Sequence, residues 1–178
     1  MTLVSDSSMT NTGGNNEGSV QLDGASSNTI RRSYMENSNF RGLNLYGGWG
    51  NLVQASTITS WNSYALYAAA SSSNSIASSV VIGTTSGSSG GAYFDLDSHY
   101  MNISGSVFIS TGGGIAFEAY GSTYVVTDSF FRGESVNSAG MYLEVSGGHS
   151  LSRSTFTAMN WAGLSMWDGA GAADGVQI

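Results

Sequence analysis

The chain has 178 residues, only 10% of them charged, and its net charge of −7 comes from 12 acidic residues against five arginines and no lysine. That balance speaks against a nucleic-acid partner, because binding a phosphate backbone needs a cationic face that displaces counterions. The absence of cysteine removes disulfides and thiolate metal sites, and no apolar run approaches the ~18 residues that span a bilayer.

The amino terminus, Met1 to Thr10, has neither a basic nor a continuous apolar region, so no secretory signal peptide is read there. From Ser7 onward one pattern recurs: a Ser, an apolar residue three positions before it and another two positions after. The anchors are Ser7, Ser33, Ser56, Ser79, Ser106, Ser129 and Ser154, spaced by 26, 23, 23, 27, 23 and 25 residues. Three positions before them stand Val4, Ile30, Val53, Ile76, Ile103, Val126 and Leu151; two positions after stand Met9, Met35, Ile58, Val81, Phe108, Phe131 and Phe156. A period of this length is the mark of a solenoid.

Each unit ends in a third block that alternates apolar and polar residues and is often led by Gly, as in Gly42-Leu43-Asn44-Leu45, Gly91-Ala92-Tyr93-Phe94, Gly114-Ile115-Ala116-Phe117 and Gly140-Met141-Tyr142-Leu143. Alternation with period two predicts a strand with one buried face. Length variation falls mainly between the Ser block and this block, in Gly-, Ser- and Asn-rich stretches that read as loops. Three short strands per unit bury their apolar positions only if successive units stack like on like. The expected fold is therefore all-β, a single parallel β-helix over residues 1–178, with about seven coils of 23–27 residues and three short strands per coil.

From Val4 to Met166 the units resemble the right-handed parallel β-helix repeat of pectate-lyase-like proteins, which reads Asn-x-Ile-x-x-Ser/Asn-x-Ile followed by Gly-Ile-x-Leu. The right hand is implied by this resemblance. So is an extracellular or cell-surface location. Activity is not, since the architecture hosts lyases, hydrolases, epimerases, tailspikes and adhesins.

Stacking turns equivalent positions into columns. Asn28, Asn51 and Asn74 each lie five residues before an anchor and are expected to form an amide ladder. The anchors Ser33, Ser56, Ser79, Ser106, Ser129 and Ser154 are expected to bond to backbone at a bend. On the outer side of the third strand, Tyr46, Tyr67, Tyr93, Tyr142 and Trp167 could carry a sugar ring. Asp95, Glu118 and Glu144 are expected on three consecutive coils as one acidic column. The resemblance implies a polysaccharide groove on this face, with such acids holding calcium, although no cofactor is required for the fold.

Catalysis has thin support. The paired-Asp and Gly-His-Gly motifs of the hydrolases and the Asp-Pro-His motif of the epimerases are absent, His99 and His149 fall in turns two coils apart, and Arg132 belongs to another strand face. If the chain is an enzyme, the resemblance implies a polysaccharide lyase or glycoside hydrolase.

The outer side of the second strand offers Val80, Ile82, Val107, Ile109 and Phe130 as an apolar patch, to be covered by a loop or by a protein partner. Thr-x-Thr in two coils is too interrupted to read as an ice-binding array. Without recognisable caps, the chain is expected to be a segment of a longer array or a unit that stacks end to end on its own copies. Three functions follow: a noncatalytic structural or adhesive module, a carbohydrate-binding or carbohydrate-active module, and a self-assembling filament subunit.

Overall fold

The computed structural model describes residues 1–13, 17–84, 90–121, 123–136, 138–144 and 148–167. Among the described residues there are 21 short strands and no helix, in three parallel seven-stranded sheets. The first sheet stacks Leu3–Ser5, Thr29–Arg31, Leu52–Gln54, Ser75–Ala77, Met101–Ser104, Tyr124–Thr127 and Ser150–Ser152. The second stacks Ser8–Asn11, Tyr34–Asn37, Thr57–Ser60, Val80–Gly83, Val107–Ser110, Phe130–Gly133 and Thr155–Ala158. The third stacks Val20–Asp23, Leu43–Tyr46, Leu66–Ala69, Ala92–Phe94, Phe117–Ala119, Met141–Glu144 and Leu164–Trp167. The chain visits the sheets in rotation, so each of the seven coils pairs only with the coil before and the coil after. This is a parallel β-helix of the expected size, roughly 33 Å long at the inter-strand spacing of a sheet.

The apolar positions around each anchor Ser form the core. Ile30, Val53, Ile76, Ile103, Val126 and Leu151 line the first sheet, and Met35, Ile58, Val81, Phe108 and Phe131 line the second, all buried. Each such side chain contributes about 1.5–3 kcal/mol by leaving water. Phe108, Phe131 and Phe156 continue as a stack with centroids 5.1 Å apart.

The bend between the first and second sheets explains the constant offsets of the apolar residues on either side of each anchor. The residue before each anchor is left-handed: Asp6, Arg32, Ala55, Ser78, Gly105, Asp128 and Arg153 have φ between 46° and 54°. Each anchor hydroxyl closes the bend by donating to the carbonyl two residues back at 2.8–2.9 Å. From Ser33 onward, the same oxygen accepts from the amide of the preceding coil's anchor at 3.1–3.3 Å. The serines are thereby satisfied as a continuous ladder.

A second ladder precedes the first sheet. Asn51 Oδ1 accepts from Asn28 N at 2.9 Å and from Asn28 Nδ2 at 3.1 Å, while Asn51 donates to Asn74 Oδ1 through its N at 2.8 Å and its Nδ2 at 3.0 Å. The next coil places Met101 in this column, which offers no oxygen, and Asn74 Nδ2 is left without a partner. In the two coils after that the position is filled in turn by Tyr124 and His149, and the amide of Tyr124 donates to His149 Nδ1.

In the fifth coil the third strand begins two residues later than expected. Phe117 pairs with Ala92, Glu118 with Tyr93 and Ala119 with Phe94. The Gly-like lead is Ala116, and Gly114-Ile115 belong to the preceding turn. A slip of two residues keeps Phe117 inside and leaves the alternation intact, so the pattern alone does not distinguish the two registers. The consequence falls on the outer face of the third sheet.

Candidate functional site: tyrosines gathered around Glu118

The two-residue slip moves Glu118 out of the expected acidic column and into the file of Tyr67, Tyr93 and Tyr142, its register neighbours being Tyr93 and Tyr142. Tyr120 takes the place intended for Glu118, one step beyond the paired Phe94, Ala119 and Leu143 and so between Asp95 and Glu144. The expected Asp95–Glu118–Glu144 column is therefore not formed. Asp95 is committed to a turn, where its Oδ1 accepts from Ser98 Oγ at 3.0 Å and from the amides of Ala70 at 3.1 Å and Asp97 at 3.2 Å. Among the described residues no group of three His, Asp or Glu side chains is arranged to hold a metal ion.

What the slip assembles instead is a buried carboxylate within aromatic walls. Glu118 is 9% exposed. Its Oε2 accepts from the Tyr64 hydroxyl at 2.9 Å, and its Oε1 accepts from the Tyr120 hydroxyl. Burial, reinforced by Glu118, pushes the Tyr64 and Tyr120 phenols well above their ordinary pKa of 10, so both remain protonated donors. Tyr93 shifts the same way, first by burial and then by the charges of Glu118, Asp95 and Glu144.

The rings form a connected set. Tyr67 and Tyr93 are stacked at 5.3 Å and 7°. Tyr64 and Tyr120 are each tilted to Tyr93, at 5.0 Å and 43° and at 5.4 Å and 44°, and Tyr120 meets Tyr142 at 5.8 Å. The Arg41 guanidinium covers Tyr67 at 3.4 Å from the ring centroid. Tyr67 thus has one face against Arg41 and the other against Tyr93, so it offers an edge and a hydroxyl, not the flat platform expected for a sugar. Tyr64, Tyr93, Tyr120 and Trp161, together with Glu118 and the segment Gly113, Gly114 and Ile115, line an open cleft of about 430 Å³.

Other candidates lie apart. Tyr46 is exposed and pairs with Ala69, and Trp167 is exposed beside Glu144. His149 is buried in the ladder column, and Arg132 sits in the second sheet, 3.2 Å from Glu134. Val80, Val107 and Phe130 run in register, as do Ile82 and Ile109, and all five are half-buried. Tyr64, Tyr120 and Trp161 were not among the expected site residues. Tyr64 and Trp161 precede third-sheet strands, outside the alternating block, while finding Tyr120 requires the correct register in the fifth coil.

A family model described as "Right handed beta helix region" matches residues 2–131. The chain belongs to the right-handed β-helix family. That membership agrees with the three-sheet architecture and with the right hand that the resemblance implied. No curated protein matches the sequence. Among the described residues of this right-handed β-helix, no helix is long and apolar enough to cross a membrane.

Proposed function

We propose that the protein is a noncatalytic extracellular or cell-surface module, a rigid right-handed β-helix that presents an adhesive face, and that this face binds carbohydrate. The observation that carries the reading is the group of Tyr64, Tyr93, Tyr120 and Trp161 around the carboxylate of Glu118 on one side of the rod. Aromatic walls with a few placed polar groups are the usual make-up of a small-ligand site. The location outside the cell rests on the resemblance to polysaccharide-acting and surface β-helix proteins.

A noncatalytic role fits the state of the acid–base groups. Glu118 accepts from two phenols, Asp95 accepts three hydrogen bonds in a turn, and the buried His149 accepts from a backbone amide. Glycoside hydrolysis requires two carboxyl groups facing a bond across about 5–9.5 Å, one of them able to give up a proton. No calcium is required in this reading.

Titration calorimetry with neutral and amino-bearing oligosaccharides tests the proposal. Binding is expected to survive EDTA and to weaken in Trp161→Ala, with no reducing ends released over long incubation. Saturable binding that is unchanged in Trp161→Ala would place the carbohydrate elsewhere and remove the reading.

A second reading has its own observation. The half-buried apolar files of the second sheet form a continuous stripe across neighbouring coils, suited to a lateral protein contact or to filament growth. Sedimentation of the wild type against Val107→Lys tests it, and a wild type that stays monomeric at every concentration would exclude self-association.

A further inference from the structure

We propose that the cleft over Glu118 is a cation cage that takes an organic ammonium group, held by the carboxylate and by the rings of Tyr64, Tyr93, Tyr120 and Trp161. The inference rests on the reading of this surface as a binding face and names the chemistry that it selects.

Three observations carry it. First, the lining fits: Tyr64 and Tyr120, tilted by 43° and 44° from Tyr93, share one open cleft with that ring, with Glu118 and with Trp161, which is 52% exposed. Ring faces attract cations within about 6 Å through their quadrupole, and Trp does so best.

Second, the charge fits. Glu118 holds a carboxylate in a wall that is 9% exposed, and its two phenolic donors solvate that charge without neutralising it. The ion pairs among the described residues are Arg32–Asp6, Arg132–Glu134 and Arg153–Asp128, none of which reaches Glu118. An anionic ligand would be repelled. A hydrated divalent ion would need six or more oxygen ligands where ring carbon predominates.

Third, the same surface already binds one cation in this way, since the Arg41 guanidinium rests on Tyr67 with Phe40 at 4.6 Å on its flank. The cleft repeats that arrangement two coils further on, with a carboxylate added and no arginine supplied by the described chain.

The ammonium could come from a free quaternary amine or from an amino sugar, and the probes separate them. Trp fluorescence and chemical-shift titrations would use choline, its neutral isostere 3,3-dimethylbutan-1-ol, glucosamine and N-acetylglucosamine. The cage predicts saturable binding of choline or glucosamine, each roughly tenfold tighter than its neutral counterpart. Preference for glucosamine assigns an amino sugar, and preference for choline assigns a quaternary amine. Glu118→Gln is expected to remove most of the cation preference. Trp161→Ala, at an exposed position, is expected to weaken both cations several-fold with no change in melting temperature, which keeps the test valid if Glu118→Gln folds poorly. Equal binding of charged and neutral members would overturn the cage and leave the carbohydrate reading in place. Absence of any saturable response to the four probes would overturn the cage, and the carbohydrate reading would then be judged by the oligosaccharide titrations alone.

Discussion

The Nδ1 atom of His149 accepts a hydrogen bond from the amide of Tyr124 at 3.2 Å, with the two rings parallel at 5.2 Å and 5°. An accepting Nδ1 places the proton on Nε2, and that atom is buried without a partner. Protonation would set a donor against a donor. Burial accordingly lowers the His149 pKa below its ordinary 6.5.

The unfolded chain takes up this proton near pH 6.5, while the folded chain resists it to lower pH. The stability tied to neutral His149 is thus complete above about pH 6.5 and declines as the pH falls toward the folded-state value. Thermal melts of the wild type are expected to show this decline as the pH is taken below 6.5. His149→Asn, which puts an amide oxygen where the ladder uses one elsewhere, is expected to flatten it. His149→Leu, which strands the Tyr124 amide, is expected to cost about 1–3 kcal/mol at every pH.

Asn51 bears on four hydrogen bonds of its side chain at once, two received from Asn28 and two given to Asn74 and Ala25. Asn51→Ala is expected to lower stability by about 1–3 kcal/mol, because buried donors and acceptors on both neighbouring coils lose their partner together. Asn28→Ala should cost less, since Asn28 is only half-buried. Urea denaturation of the two variants measures the difference.

The register of the fifth coil can be tested covalently because the chain has no cysteine. Cysteines at 93 and 118 would sit on paired strand positions about 4.8 Å apart, inside the range a disulfide spans. Cysteines at 95 and 118 would lie on a diagonal of about 8 Å, outside it. Oxidation should therefore cross-link the first pair readily and the second poorly, as read by gel mobility and mass spectrometry. The opposite ranking would restore the acidic column.

Ala55 is exposed with φ 49°, a conformation that costs an L-residue roughly 1–2 kcal/mol. Ala55→Gly removes that strain but adds backbone entropy to the unfolded chain, for an expected net gain of about 0.5–1 kcal/mol. Gly105→Ala is the mirror experiment: an added Cβ would find nothing nearer than Ser78 Oγ at 3.6 Å, so the expected loss reports the backbone alone. Paired melts of the two variants check the sign of each.

The fold was legible because stacking imposes a strict offset on buried residues, and Ile30, Ser33 and Met35 recur at that offset in every coil. The Ser and Asn columns were legible for the same reason, since their hydrogen bonds run between equivalent positions. The site was only half legible. Tyr67, Tyr93 and Tyr142 fall in the alternating block, but the spurious lead at Gly114 misplaced Glu118 by one outward position and hid Tyr120. Close backbone approach calls for glycine at some lead positions, since a Cβ on Gly91 would lie 2.3 Å from Ala116 O, but the lead of the fifth coil is an alanine and so carries no such signal. Loop residues such as Tyr64 and Trp161 carry no periodicity to betray them.

The two ladders share a property that bears on how this rod could be lengthened. From Thr2 to Asn28, Asn28 to Asn51, Ser33 to Ser56 and Tyr124 to His149, the amide of the earlier coil always donates to the side chain of the later one. The molecule is therefore a vector. A duplicated 23-residue unit spliced between Asn51 and Leu52 would extend both files of donors in phase, whereas a unit inserted out of phase would break the contacts of both files where it joins its neighbouring coils. Length becomes a quantity that can be changed in whole coils, with the outer face carried along unaltered.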